Sequence, residues 1–197
     1  MKKILLAFLI SICMVSSVSA QMLTGIVGGG KAPSCTLYLD ASSATDPNGA
    51  GISHDATNDQ PGQSNWSFAS GTIQVCKITL KLTKAAGDIS GKTFYVNIWS
   101  MTGANLNAIL ATSAGVTGSN SWSDTYVDFT FATPYSMAAA TGYAITATSG
   151  AVDATNYANV NYYNNGVAGS GMQWSTAKVA QVGWPTLDLI MKICTMQ

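Results

Sequence analysis

The sequence predicts an all-β protein, an antiparallel β-sandwich of jelly-roll type. Apolar and polar residues alternate over short segments, as at Phe94, Val96 and Ile98, and again at Phe129 and Phe131. Gly, Asn, Ser and Pro separate these segments, and no stretch between them has the 3.6-residue apolar period of a convincing amphipathic helix. Many short strands at this spacing are typical of two packed antiparallel sheets rather than of a parallel sheet.

Nine strands are predicted. They span 36–40, 65–69, 73–83, 93–101, 109–113, 126–132, 142–148, 160–163 and 185–195. The stretch 41–63 is rich in Gly, Asn, Asp and Pro and therefore predicts a long loop. Strand parity predicts a core that contains Ile78, Leu80, Val96, Ile98, Phe129 and Phe131, while Asp128 and Thr130 face water.

The first 20 residues have the composition of a signal peptide. Lys2 and Lys3 precede an apolar run, and Val18-Ser19-Ala20 forms a small-residue cleavage site. We expect a flexible Gly-rich lead over 21–34 and a single β-sandwich domain over 35–197. No later segment is long and apolar enough to cross a membrane. The protein is therefore predicted to be exported to the extracellular space, the cell surface or the periplasm.

The charged residues are all Lys or Asp, nine of each, and the sequence contains neither Arg nor Glu. Binding to nucleic acid usually relies on a basic patch and on bidentate hydrogen bonds from the planar guanidinium group of Arg. We therefore do not expect nucleic acid as a partner.

Three cysteines follow the predicted leader, which is enough for one disulfide in an oxidising compartment. Parity places Cys76 on the core face with Ile78, and places Cys194 on the other face with Lys192. We therefore predict a Cys35–Cys194 disulfide that ties the two ends of the chain together. Cys76 is then a small buried apolar side chain.

Several motifs resemble a widespread family of extracellular β-sandwich domains from bacteria and phages. They are Trp66-Ser67-Phe68, Gly71-Thr72-Ile73, Ile78-Thr79-Leu80-Lys81-Leu82, Tyr95-Val96-Asn97-Ile98-Trp99, Leu110-Ala111-Thr112-Ser113, Val127-Asp128-Phe129-Thr130-Phe131, Gly142-Tyr143-Ala144-Ile145 and Leu187-Asp188-Leu189-Ile190-Met191-Lys192-Ile193. The resemblance covers residues 64–195. It implies a jelly-roll domain similar to carbohydrate-binding modules, in uncharacterised secreted proteins, and it implies no catalytic residue. Cys76 departs from the family pattern, because the family usually has an aliphatic residue at this position.

Residue types that carry catalysis or bind metals are scarce. The sole histidine, His54, lies in a polar loop and is interpreted as an exposed loop residue. We predict that the protein is not an enzyme. Asp40, Asp46, Asp55 and Asp59 crowd the same region and offer the hard oxygen ligands that Ca²⁺ prefers. A structural calcium ion is one interpretation of these residues, and a solvated polar loop is the other. No other cofactor is expected.

Aromatic and amide side chains are concentrated in the C-terminal third, where Tyr157 is accompanied by Asn159 and Gln173. Flat rings beside amides suit stacking against sugar rings. The candidate ligand-binding rings are Trp174, Trp184, Tyr162 and Tyr163, together with Trp122 in the 117–124 loop. The alternative is that these rings fill the core or border it.

These observations predict a secreted, non-catalytic binding or surface-interaction module whose partner is a glycan or a cell-surface polysaccharide. The alternative is a structural subunit of a surface appendage, matrix or phage-like particle, for which self-association is expected. A secreted hydrolase is a third interpretation, and it requires two Asp carboxyl groups in one cleft.

Overall fold

Fourteen β-strands make up the described part of the chain, in which no helix occurs. The computed structural model describes residues 35–40, 48–57, 59–66, 71–139, 141–164, 170–184 and 187–196. The strands are β1 (Cys35–Asp40), β2 (Asn48–Gly51), β3 (Gln60–Trp66), β4 (Thr72–Ala86), β5 (Thr93–Thr102), β6 (Asn105–Thr112), β7 (Val116–Thr117), β8 (Thr125–Ala138), β9 (Tyr143–Thr148), β10 (Tyr157–Asn164), β11 (Ser170–Trp174), β12 (Ala180–Trp184), β13 (Leu187–Leu189) and β14 (Met191–Met196). The predicted leader, 1–20, and the Gly-rich lead, 21–34, lie outside these residues.

The strands form two antiparallel sheets, which confirms the predicted β-sandwich. Sheet A has the order β1-β14-β4-β10-β13, with β8 paired to β4 and β2 paired to β10. Sheet B has the order β12-β11-β3-β9-β5-β6, with β7 paired to β5. The predicted core is confirmed as well, because all six of its residues are buried in one cluster between the sheets. Asp128 and Thr130 are exposed, as predicted.

The predicted strands are mostly found, with four differences, one of which is the two-residue strand β7, absent from the prediction. The stretch 41–63, predicted to be a loop, contains β2 and the first residues of β3. The structure also has a hairpin of β11 and β12 that the Gly-rich sequence does not suggest. The predicted closing strand, 185–195, is divided at Ile190 into β13 and β14.

The closing strand is interrupted at Ile190, where the chain passes from pairing with β10 to pairing with β4. The first half of β10 pairs with one end of β4, the second half of β10 pairs with β13, and the rest of β4 pairs with β14, so the three strands meet at a junction. The Ile190 N–H donates to the Asn161 carbonyl (3.0 Å), and the Lys81 N–H donates to the Ile190 carbonyl (3.1 Å). Ile190 is therefore hydrogen-bonded both to β10 and to β4 at this junction.

A buried polar clamp joins the two sheets. Gln63, in β3 of sheet B, donates its amide to the Asp188 carboxylate of sheet A (2.6 Å) and accepts the N–H of Leu189 (2.8 Å). Beside it, the hydroxyl of Tyr162 donates to the carbonyl of Gly62 (3.1 Å). Full burial raises the pKa of Tyr162, so this phenol remains a donor. The interaction fixes the position of β13 against β3.

Sheet B curls until its edge strands β6 and β12 meet. The N–H of Leu106 donates to the carbonyl of Lys178 (3.1 Å), and the N–H of Ala180 donates to the side chain of Asn105 (3.0 Å). Inside the curl is a second apolar cluster, formed by Trp99, Leu106, Ala144 and Trp174. The sheet therefore buries apolar side chains on both faces.

The predicted Cys35–Cys194 disulfide is wrong. Cys35 is bonded to Cys76, with 6.2 Å between their Cα atoms, and Cys194 is a buried free thiol. The cause is a bulge in β4: the registers with β14 and with β8 both pass from Val75 to Lys77 and omit Cys76. Val75 and Ile78 both enter the core, so the alternation changes phase between them. The strict alternation from which the face of Cys76 was predicted is therefore interrupted at this residue.

The disulfide closes a loop with a sequence separation of 41 residues, so replacing Cys35 and Cys76 together by Ser should lower the free energy of unfolding by about 4 kcal/mol. Cys194→Ser is the control for the replacement of a buried thiol alone and should cost less than the double replacement. Urea denaturation measures both effects. Non-reducing peptide mapping that found Cys194 in a disulfide would contradict the assignment.

Gln63→Leu should lower the free energy of unfolding by about 2–3 kcal/mol, because the buried Asp188 carboxylate and the Leu189 N–H each lose a partner. The matched control is Gln74→Leu. Gln74 is exposed and donates to the Ser136 hydroxyl (3.0 Å), so this change should stay within about 0.5 kcal/mol. If Gln63→Leu and Gln74→Leu lowered the free energy of unfolding equally, as measured by urea denaturation, the clamp would not stabilise the sandwich.

Candidate functional site

The described rings that were predicted to stack on sugars are buried. Trp174 is fully buried inside the curl of sheet B, where its indole N–H donates to the carbonyl of Ala104 (2.8 Å). Tyr162 belongs to the main core, and Tyr163 is only 5% exposed. Trp122 is 8% exposed and packs on Phe94 with ring centroids 5.3 Å apart. These four residues therefore form no exposed platform, and the side chain of Trp184 lies outside the described part.

The four candidate calcium ligands are only partly described. Asp46 and the side chain of Asp40 lie outside the described residues. Asp55 accepts the N–H of Thr57 (2.8 Å), which makes an Asx turn. Burial raises the pKa of Asp59, despite hydrogen bonds with Ser53 and Gln60, and the nearby Asp55 carboxylate raises it further. Within the described residues, no three His, Cys, Asp or Glu side chains are grouped to hold a metal ion, and the calcium site stays a prediction.

An open groove of about 340 Å³ lies where β2 and β10 of sheet A border β11 of sheet B. We call it the His54 groove. It is lined by Gly49, Ala50, Gly51, His54, Asp55, Tyr157, Asn159 and Gln173. Tyr157 and Asn159 alternate along β10 with the buried Ala158 and Val160, so they project from the face that points away from the core.

Two glycines of β2 let side chains that line the groove approach the strand closely. A Cβ atom at Gly51 would lie 2.7 Å from the Cβ of His54, and a Cβ at Gly49 would lie 3.0 Å from the amide nitrogen of Asn159. Gly51 pairs in register with Asn159. Glycine at these positions therefore lets His54 and Asn159 pack directly against the backbone of β2.

Ser53 anchors the loop that carries His54. It is buried and has a left-handed backbone (φ +50°), which is uncommon for a residue other than glycine. Its N–H donates to the carbonyl of Asp59 (2.7 Å), its hydroxyl accepts the N–H of Ser149 (3.0 Å), and its carbonyl accepts the N–H of Asp153 (2.8 Å). The loop is thereby fixed to the β9–β10 connection, and His54 is held over β10.

His54 and Tyr157 form an angled pair of rings. Their centroids are 4.5 Å apart and their planes are inclined by 59°. The Nδ1 atom of His54 lies 3.0 Å from an Asp55 carboxylate oxygen, which orients the imidazole. The side chains of His54 and Asp55 are each 38% exposed, so both can be reached from solvent.

The groove therefore brings together ring faces, the amides of Asn159 and Gln173, and one carboxylate. Amides supply both donors and acceptors, and a carboxylate accepts. A flat polar molecule with one apolar face could stack on a ring and hydrogen-bond at its edge. These groups could hold such a ligand by stacking and by hydrogen bonding.

Two other surface features are less suited to a ligand. A depression of about 360 Å³ between β6 and β8 is lined by Leu110, Ala111, Thr112, Ala132, Thr133, Pro134 and Tyr135, without a charged group. On the outer face of sheet A, Tyr126 is 42% exposed, but the ammonium group of Lys192 lies 5.1 Å from its ring centroid. The ring face that a ligand would need is thus shared with a cation of the protein.

Sequence analysis missed the groove although it noted most of the lining residues. His54 was interpreted as an exposed loop residue, and Asp55 was assigned to calcium. Tyr157, Asn159 and Gln173 belonged to the aromatic and amide-rich segment, but other rings were selected. The sequence feature that could have indicated the groove is Gly49-Ala50-Gly51, since alternate glycines in a strand often mark the close approach of another group to the backbone.

Neither a protein-family model nor a curated protein matches the chain. The resemblance to extracellular β-sandwich domains therefore stays a prediction. None of the described residues forms a helix that could cross a membrane.

Because His54 is the one histidine of the sequence, its ring protons report on the groove. Gly51→Ala should shift the ¹H–¹³C signals of His54, since the new methyl group occupies the space of its Cβ and displaces the ring from Tyr157. Gly91→Ala is the control, because a Cβ there meets nothing within 4 Å. Unchanged His54 signals in Gly51→Ala would contradict the packing described.

Proposed function

We propose that the protein is an exported, non-catalytic binding module that holds a sugar ring of a glycan in the His54 groove. The observation that carries this proposal is the angled pair of His54 and Tyr157 rings beside the amides of Asn159 and Gln173. The apolar face of a pyranose stacks on an aromatic ring, and its hydroxyl groups exchange hydrogen bonds with amides.

The dimensions of the groove support a small ligand. Its volume of about 340 Å³ falls at the lower end of the range for small-molecule sites, which is roughly 300–1,000 Å³. An open groove leaves the neighbouring units of a polymer in solvent, which suits a ring within a polysaccharide. A single site of this size binds weakly, and display of several copies on a surface would raise the overall affinity.

Export is supported by two independent observations. The first 20 residues have the composition of a signal peptide. The described domain also contains a Cys35–Cys76 disulfide, and disulfides of this kind persist mainly outside the reducing cytosol. The resemblance to extracellular carbohydrate-binding sandwiches agrees with both.

A glycan array followed by calorimetry on the best glycan tests this proposal. Tyr157→Ala should weaken binding about tenfold, since a stacked ring contributes about 1 kcal/mol beyond the area it buries. Tyr157→Phe keeps the ring and should retain most of the affinity. Tyr126→Ala, at a partly exposed tyrosine on the outer face of sheet A, is the matched control and should bind like the wild type.

Two results would contradict the proposal. One is an array on which the folded protein binds no glycan. The other is equal loss of affinity in Tyr157→Ala and Tyr126→Ala, which would place the ligand outside the groove.

A further inference from the structure

The buried thiol of Cys194 lies beside the disulfide. Its strand, β14, runs between β1, which contains Cys35, and β4, which contains Cys76. The disulfide therefore crosses over β14, and the Cys76 sulfur lies 3.3 Å from the carbonyl oxygen of Cys194. The three cysteines of the described domain thus meet on three neighbouring strands.

Cys76 and Cys194 lie on the same face of sheet A. In β14, Ile193 belongs to the main core, so the next residue, Cys194, points to the outer face. In β4, the bulge leaves Cys76 and Lys77 together on this outer face. Both cysteines are buried, at 7% and 8% exposure, yet neither belongs to an apolar cluster of the described residues.

The spacing of β4 and β14 suits a disulfide between Cys76 and Cys194. Cys194 pairs in register with Lys77, the residue next to Cys76. Facing residues of antiparallel strands have Cα atoms about 4.5–5.5 Å apart, within the range of about 4.4–6.8 Å that disulfides span. The hydrogen bond that Lys77 donates to Asp128 raises the pKa of Lys77, and a negative charge on Cys194 raises it further. The side chains of Lys77 and Cys194 are therefore neighbours.

We propose that Cys194 exchanges with the Cys35–Cys76 disulfide and so exposes Cys35 as an attachment site for a disulfide outside the domain. The Cys194 thiol loses its proton, and the thiolate attacks the Cys76 sulfur. The Cys76–Cys194 bond forms, the Cys35–Cys76 bond breaks, and Cys35 leaves as a thiolate. One disulfide and one thiol are present before and after the step, so it needs no oxidant and no reductant.

Cys35 is the cysteine that an external partner can reach. It is exposed at the beginning of β1, whereas Cys76 and Cys194 are buried. Its thiolate can attack an external disulfide, which forms a mixed disulfide at Cys35 and releases the other half of the partner as a thiolate. The protein would then be tethered through its first described strand. This inference does not rest on the proposed function, because none of the three cysteines lines the His54 groove.

Oxidised glutathione is the probe of an external disulfide, and non-reducing peptide mapping after quenching in acid locates the products. Before incubation, the protein should contain the Cys35–Cys76 disulfide alone. After incubation at pH 8, glutathione should be attached to Cys35, and a new disulfide should join Cys76 to Cys194. The reaction should be roughly tenfold faster at pH 8 than at pH 7, because the thiolate is the attacking species. Glutathione on Cys194 with the original disulfide intact would overturn the inference, and so would the absence of an adduct at both cysteines.

Cys194→Ser is the matched control, because it removes the attacking thiol and keeps the disulfide. Cys35 of this variant should acquire no glutathione. Peptide mapping assigns each adduct to its residue, so Cys13 of the predicted leader does not interfere. Modification of Cys35 at the wild-type rate in this variant would show that Cys194 is not the nucleophile.

Cys35→Ser tests the geometry alone. In this variant, once cooperative unfolding in urea has shown that it folds, oxidised glutathione should join Cys76 to Cys194. Separate glutathione adducts on the two cysteines would show that their sulfurs do not meet, and the inference would fail. If the variant does not fold, the mapping of the wild-type protein decides.

Discussion

The polar clamp between Gln63, Asp188 and Leu189 is the constraint on which the arrangement of the two sheets depends. Apolar packing alone would allow the sheets to slide over each other, because it has little directional preference. A buried carboxylate is costly unless it is hydrogen-bonded, so the bond between Asp188 and Gln63 favours the register in which the two side chains meet. Tyr162 is bonded to Gly62 in the same layer and adds a second fixed point. The second point lies on a strand that positions the groove, since β10 contains Tyr162 as well as Tyr157 and Asn159.

The curl of sheet B determines which aromatic rings are available at the surface. By joining β6 to β12 it encloses Trp99 and Trp174, and the indole of Trp99 donates inside the curl to the Thr146 hydroxyl (3.0 Å). Lys178 takes a left-handed conformation (φ +68°) at the rim of the curl, where its ammonium group reaches the Trp99 ring. Rings that look like a binding platform in the sequence therefore stabilise the sheet. Tyr157 remains partly exposed because β10 presents it on the outer face of sheet A, away from the curl.

The sandwich and its main core were predictable because burial on one face of a strand leaves a two-residue period in the sequence. Ile78, Leu80, Phe129 and Phe131 follow that period, and they are buried as predicted. The errors occur where one residue interrupts the period: the bulge at Cys76 changed the disulfide, and the break in strand pairing at Ile190 divided one predicted strand into two. The groove was harder to predict because β2, β10 and β11, which line it, are distant in sequence. The close packing of its lining depends on the absence of side chains at Gly49 and Gly51, which leaves little pattern to detect.

The pairing of β1 with β14 also determines how the domain can fold. Cys35 pairs in register with Met196, and among the described strands β1 pairs only with β14. Sheet A is therefore completed by contacts between residues about as far apart in sequence as the domain allows, and the entropy of closing so long a loop is lost before those contacts form. High contact order of this kind gives slow folding. Because β14 follows every other described strand of sheet A in the sequence, the ribosome must synthesise β14 before this sheet can be completed.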